Sequence, residues 1–192
     1  MLIYLIRHAR PEGMDGSCYG RSDIRANAEE TRRVARSLRE SLPPDALETA
    51  AIHSSPLTRC WSLARELVPA RAVVITPELL ELDFGSWEGS AWSDVPRAEL
   101  DAWARDPWGY APGGGESAQA VLSRFQAWAT RLRDEGNDIV VAVTHAGVIR
   151  VALSVDSADP IGLSLSIPYG SVHLLVIEGS RSDARELRRT FA

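Results

Sequence analysis

Two short apolar runs, residues 2–6 and 139–144, each lead directly into a polar residue cluster containing a histidine: Arg7-His8 after the first, His145 after the second. Runs of this length, rich in Ile and Val and without helical periodicity, suit strands covered on both faces, which is the condition of a parallel sheet packed between helices. A polar residue placed just after such a strand stands at the carboxyl edge of the sheet, where open α/β sheets bind their ligands. Two histidines in that position on two strands are expected to meet at one edge.

The segments between these runs read as helices and further strands. Asn27, with Glu30 three residues on, forms a capping pair, and Val34, Leu38 and Leu42 follow at four-residue spacing until Pro43 and Pro44 close the helix. Residues 50–53 form a short strand. Ser55 and Pro56 supply an N-cap and first-turn proline for a helix to about Val68, with Arg59 in its first turn. Residues 72–75 suit a third strand, 78–89 a loop, 92–103 a helix, the Gly- and Pro-rich 106–115 a connection, and 117–135 a long helix. A helix is expected from near Val148 and a strand over 171–177, while 185–191 fits either type. The alternation implies a three-layer α/β/α sandwich with a mostly parallel central sheet. With 192 residues, 45% of them hydrophobic, residues 1–192 are expected to form a single domain.

Composition narrows the partners. A net charge of −5 argues against nucleic acid. All 21 basic residues are Arg, so arginine abundance by itself says nothing of phosphate; only placement does. The longest apolar runs fall far short of the roughly 20 residues that cross a bilayer, and residues 2–6 are too short, and lack the preceding basic residues, for a signal peptide. A soluble cytoplasmic protein without a membrane partner is expected. Cys18 and Cys60 are too few for a disulfide scaffold and read as inert thiols.

The strand-end residues suggest phosphoryl chemistry. A phosphate monoester dianion repels nucleophiles, so its oxygens must be neutralised before an imidazole nitrogen can attack in line. Arg7 and Arg59 have planar guanidinium groups that can each donate paired hydrogen bonds to phosphoryl oxygens, and a helix N-terminus near Arg59 favours an anion. His145 adds a donor if protonated. Attack by His8 would give a phosphohistidine, with the leaving oxygen taking a proton from a carboxylic acid.

The motifs match a known family. Leu5-Ile6-Arg7-His8-Ala9 resembles the R-H-G motif of the histidine phosphatase superfamily, which includes the cofactor-dependent phosphoglycerate mutases. Residues 54–59, SSPLTR, resemble its S-x-L-x-R segment; Glu81-Leu82-Asp83-Phe84-Gly85 with Trp87-Glu88-Gly89 its E-x-x-F/Y-G and W-E-G segments; and Thr144-His145-Ala146-Gly147 its T-H-G-G segment. The resemblance implies His8 as nucleophile, Glu81 as proton donor, Arg7, Arg59 and His145 as phosphate ligands, and neither metal nor other cofactor. Residues 7–11 with 18–23, together with 82–89, 112–117 and 169–171, are similar to α-ribazole-5′-phosphate phosphatases of cobalamin synthesis, which implies a small phosphorylated metabolite as partner. A phosphoglycerate mutase and a non-catalytic phosphate-binding module are the alternatives; the chain lacks the long insertions of the typical mutase.

The sequence departs from the pattern in two ways. Ala9 and Ala146 replace the glycines that usually follow the two histidines, which would impair the site if either position requires positive φ. The T-x-x-N continuation after R-H-G is missing, leaving Arg10 or Arg21 to supply a phosphate contact. Asp83, Glu88 and Glu78 compete with Glu81 for the proton donor. His53 and His173 read as satisfied strand residues, and the histidines and cysteines lack zinc-type spacing. Gly113 to Gly115 reads as a flexible connector near the pocket mouth, and Trp103, Trp108 and Tyr110 either line a pocket for a flat ring or pack in the core.

Overall fold

The computed structural model describes residues 1–154, 165–178 and 186–189. Its centre is a six-stranded sheet in the order β3-β2-β4-β1-β5-β6, built from β1 (Leu2–Arg7), β2 (Ala51–Ser54), β3 (Val74–Ile75), β4 (Ile139–Thr144), β5 (Val172–Glu178) and β6 (Glu186–Arg189). The first four strands are mutually parallel, and β5 runs antiparallel to β1 and to β6. Residues 186–189 are therefore strand, which settles the ambiguous C-terminal run as far as it is described; residue 185 and residues 190–191 of that run lie outside the described residues.

Both faces of the sheet are covered, giving the expected three layers. On one side α1 (Ala28–Ser41) and α3 (Thr58–Leu67) bury Val34, Leu38, Cys60 and Leu63 against Ile6, Ile52, Val141 and Val143. On the other, α5 (Ala118–Asp134) and α6 (Ala146–Leu153) bury Phe125, Trp128 and Ile149 against Ile3, Leu5, Val140 and Ala142. Successive residues of β1 and β4 face opposite helical layers, so both strands are apolar throughout; this is why their sequences show runs and no alternation. Trp128 is fully buried, and its truncation to Ala would cost about 3–5 kcal/mol.

Several boundaries shift for identifiable reasons. Asn27 caps α1 as expected, its Oδ1 accepting from the backbone of Glu29 and Glu30. Pro44 does more than close that helix: its fixed φ starts the short helix α2 (Pro44–Thr49). The helix expected over 92–103 is interrupted by Pro96, so a 3₁₀ turn (Trp92–Asp94) precedes α4 (Arg97–Arg105). Ser55 is not the cap of α3. That helix starts at Thr58, whose backbone N–H and Oγ1 both donate to the carboxylate of Asp23, at 2.6 and 2.7 Å. Asp23 thus occupies the helix N-terminus that the sequence offered to phosphate, and Ser55 is released for another task.

The Gly113 to Gly115 segment is not a flexible connector. It lies backbone against backbone on residues 83–87: a Cβ on Gly113 would fall 2.2 Å from the Phe84 carbonyl oxygen, and one on Gly85 2.2 Å from that of Gly113. Only glycine permits this approach.

Candidate active site

The sheet register dictates what meets at the carboxyl edge. Arg7 pairs with Thr144 across β1 and β4, so the next residues, His8 and His145, emerge side by side, with ring centroids 5.1 Å apart. β2 flanks β4 and delivers Ser55 to the same place, its backbone N–H bound to the Val143 carbonyl. Arg59 arrives from the first turn of α3, fully buried. The three residues expected to hold phosphate, Arg7, Arg59 and His145, therefore converge on His8.

His8 is 2% exposed, and its Nδ1 lies 2.7 Å from the carbonyl oxygen of Ala9. A carbonyl only accepts, so Nδ1 carries the ring proton and Nε2 presents its lone pair. Burial, then the Arg59 guanidinium and more weakly Arg7, lower the His8 pKa to about 3 against the opposing hydrogen bond to Ala9. The ring is neutral at physiological pH, the state a nucleophile requires.

His145 is fully buried as the residue preceding α6, with Nε2 2.9 Å from Ser55 Oγ and 3.3 Å from Cys60 Sγ. Burial, then Arg59 and His8, hold its pKa well below the ordinary histidine value. It is therefore neutral at physiological pH. A bound phosphoryl dianion would favour its protonated, donating form. Cys60 is buried against this ring and burial pushes its thiol pKa up, as it does for Cys18, in keeping with inert thiols.

The arginines are tethered yet incompletely used. Arg59 donates from Nη1 to the Ser22 carbonyl at 2.7 Å and from Nη2 to the Gly20 carbonyl at 2.6 Å. Arg7 donates from Nη1 to the Ile167 carbonyl and lies 3.7 Å over the ring of Tyr169. The Nε atoms of Arg7 and Arg59 are the buried side-chain nitrogen or oxygen atoms without a hydrogen-bond partner among the described residues. Unpaired buried donors are costly and rare, and two of them beside one histidine point to an absent anion.

Glu81 is held at the other side of the site. The turn that precedes it (Pro77–Leu79) is anchored by Thr144 Oγ1, which donates to the Leu79 carbonyl, and Arg124 of α5 donates to the carbonyls of Glu78 and Glu81. Its carboxylate accepts from the backbone N–H of Gly147 at 3.1 Å and of Leu82 at 3.0 Å. A Cβ at Gly147 would fall 2.3 Å from Glu81 Oε1, so that glycine makes the seat possible. A cavity of about 300 Å³ opens beside Glu81, and Trp103 is part of its wall. Trp108 and Tyr110 pack instead into neighbouring apolar clusters.

The rival acids are occupied. Glu88 accepts from the backbone N–H groups of Gly20, Arg21, Ser22 and Phe84 and from Ser22 Oγ, which outweigh burial and lower its pKa. Glu78 pairs with Arg131, and Asp83 accepts from the Gly85 backbone. Arg10 is exposed and paired with Asp15 at 2.6 Å, while Arg21 lies between Glu116 and Asp83, so both proposed substitutes for the missing Asn contact are engaged elsewhere. His53 and His173 are partnered by Thr76 Oγ1 and Ser171 Oγ, as expected of satisfied residues. Neither Ala9 nor Ala146 has positive φ; both are buried in the core, so their Cβ atoms are accommodated.

Four contributors escaped the sequence reading. Ser55 and Arg124 orient His145 and Glu81, and Tyr19 and Tyr169, joined by a 2.7 Å hydroxyl hydrogen bond, lie against Arg59 and Arg7. Ser55 sits inside a recognised motif, yet its role is set by the neighbouring strand; Tyr19 and Tyr169 fall in segments the resemblance covers without a role attached, and Arg124 left no local signal.

Two histidines, with Arg7 and Arg59, converge at the carboxyl edge of the sheet, an arrangement suited to phosphoryl chemistry. The model of the histidine phosphatase superfamily (branch 1) matches residues 3–190, and the chain belongs to that family. It is 31% identical over 144 residues to the bifunctional protein Rv2228c of Mycobacterium tuberculosis, a match covering 69% of this chain but only 39% of that protein. It is 26% identical over 162 residues to the adenosylcobalamin/α-ribazole phosphatase of Escherichia coli, covering 80% of this chain and 78% of the relative. The crystal structure of the α-ribazole phosphatase from Shigella flexneri superposes with a TM-score of 0.75 at 25% identity, over 93% of this chain and 91% of the other. No helix among the described residues is long and apolar enough to cross a membrane.

Proposed function

We propose that the protein is a phosphatase that hydrolyses a small-molecule phosphate monoester by way of a phosphohistidine on His8, without a metal ion. The reading rests above all on the two unpartnered arginine Nε atoms beside a neutral, tautomerically fixed histidine. A phosphoryl group placed there accepts from both Nε–H groups and from His145, which spreads and neutralises the charge on its oxygens. Nε2 of His8 attacks phosphorus in line, the P–O bond to the leaving group breaks, and the proton of the Glu81 carboxyl passes to the departing oxygen. Water then attacks the phosphohistidine while the Glu81 carboxylate takes up its proton, releasing phosphate and restoring His8.

The similarity to α-ribazole phosphatases supports α-ribazole 5′-phosphate as the substrate to try first. The test is hydrolysis of p-nitrophenyl phosphate with and without EDTA, followed by a phosphomonoester panel that includes α-ribazole 5′-phosphate, with alkaline detergent quenching to trap an acid-labile, base-stable phosphoenzyme. Turnover unaffected by EDTA, with a phosphoenzyme that disappears in His8→Ala, is expected. Metal-dependent turnover or an active His8→Ala protein would overturn the reading.

A further inference from the structure

The cavity beside Glu81 has a wall of one character and a single cation. Phe84, Leu100, Trp103 and Pro107 make an apolar surface, and Glu81 and Arg150 of α6 are the charged residues that line it. Its volume, about 300 Å³, is at the lower end of small-molecule sites. If Glu81 gives its proton to the departing oxygen, the organic half of the substrate extends from phosphorus past Glu81, which is into this cavity.

Arg150 is held ready there. Its Nε donates to the Leu165 carbonyl at 2.8 Å, which fixes the guanidinium plane, and its two terminal nitrogens have no acceptor among the described residues. Among the described residues no carboxylate lies within ion-pair distance of it, although Glu81 lines the same cavity. A half-buried cation with unpaired donors beside an apolar surface is poorly placed for stability alone, since the nearby Glu81 carboxylate offsets only part of its desolvation. It is well placed to read an acceptor on an otherwise apolar ligand, the arrangement in which a few polar groups orient a molecule held by apolar contact.

We propose that Arg150 is the specificity residue for the leaving group, and that the substrate is the phosphate ester of an alcohol with a flat apolar body that lies against Trp103 and Phe84 and carries a hydrogen-bond acceptor reaching Arg150. The assignment rests on the phosphatase reading and on Glu81 as its proton donor, and it adds which chemistry the departing half must have. Alkyl phosphates without a ring fail to fill the wall, and rings without an acceptor leave the guanidinium unpaired.

The experiment separates binding from turnover. In a His8→Ala background, dissociation constants for phenyl phosphate and for 3- and 4-carboxyphenyl phosphate are read from tryptophan fluorescence, with Arg150 intact and with Arg150→Met, which keeps a long apolar stem. The better carboxyphenyl ester is expected to bind about tenfold tighter than phenyl phosphate when Arg150 is present, the size of one charge-assisted hydrogen bond, and the ratio is expected to fall to about one in Arg150→Met. Arg150→Lys, which keeps the charge but loses the planar fork, is expected to lie between them. A ratio near one with Arg150 intact, or an unchanged ratio in Arg150→Met, overturns the assignment. Hydrolysis of phenyl phosphate by the wild-type protein is measured in parallel: a tenfold ratio without any turnover supports Arg150 as a ligand contact and overturns the phosphatase reading instead.

Discussion

The two halves of the site are built from different materials. The phosphoryl side is polar, buried and held by backbone: His8 by the Ala9 carbonyl, Arg59 by the Gly20 and Ser22 carbonyls, and that loop in turn by the Glu88 carboxylate. The leaving-group side is an apolar wall assembled from the turn after Glu81, from α4 and its following loop, and from α6. A fixed charge pattern suits the half of the substrate that every phosphomonoester shares. A wall of replaceable side chains suits the half that differs among them. The difference teaches where to look for reaction type and where for substrate.

Variants that break one half should therefore behave unlike variants that break the other. The largest effect is expected from His8→Ala, a loss of about 10⁴-fold or more in kcat on every phosphomonoester, because no other described residue offers a free imidazole lone pair at the cradle. A steady-state assay that finds uniform residual turnover above a few per cent would merge the two halves and discard the covalent route. Glu81→Gln is expected to cost about 10²–10⁴-fold on alkyl phosphates, whose leaving oxygen needs a proton, and far less on p-nitrophenyl phosphate, whose leaving group departs as an anion. Equal losses on both esters would remove Glu81 from the proton-donor role. Gly147→Ala places a methyl group where Glu81 Oε1 lies, so a displacement of order 1 Å and about a 10²-fold loss is expected, again selective for poor leaving groups, while circular dichroism stays native.

Acid should weaken the cradle specifically. Between about pH 6.5 and about pH 3 the unfolded chain takes up a proton on His8 and the folded chain does not, so stability falls as pH is lowered through that window. At pH 5 the His8 share is about 2 kcal/mol, read as the difference in urea midpoints between wild-type and His8→Gln at pH 7.5 and pH 5. Identical pH profiles for the two proteins would place a proton on folded His8. The smallest effect belongs to Arg10→Ala: its ion pair with Asp15 is exposed, so kcat/KM is expected to stay within about twofold of wild type and the urea midpoint to be unchanged.

The sequence was informative in proportion to how local each cause is. His8 and His145 were legible because each stands next to an apolar strand, and parallel register does the rest. Arg59 and Glu81 were legible through motifs, yet the physical reason for their positions came from elsewhere: Asp23 caps the helix that carries Arg59, and Arg124 and Gly147 hold Glu81. Ser55 reads as a helix cap because Ser-Pro is a good local start signal, but the carboxylate of Asp23, thirty-five residues before Thr58, outcompetes it. The Gly-rich 113–115 segment looked mobile because glycine permits motion; the same lack of side chain permits a backbone contact that fixes it. Trp103 was weighed as a pocket residue and Phe84 stood in a motif, but Arg150 left no pattern, since residues from α4, α6 and an intervening loop meet only after folding.

The unpartnered nitrogens of Arg7 and Arg59 have a consequence for how the protein behaves in a phosphate-rich medium. Nothing in that cradle distinguishes an esterified phosphoryl group from the free oxyanion left behind after hydrolysis, because the distinguishing contacts lie on the far side of Glu81. Inorganic phosphate is thus expected to act as both competitive inhibitor and thermal stabiliser, its concentration setting the pace of turnover as well as the melting temperature.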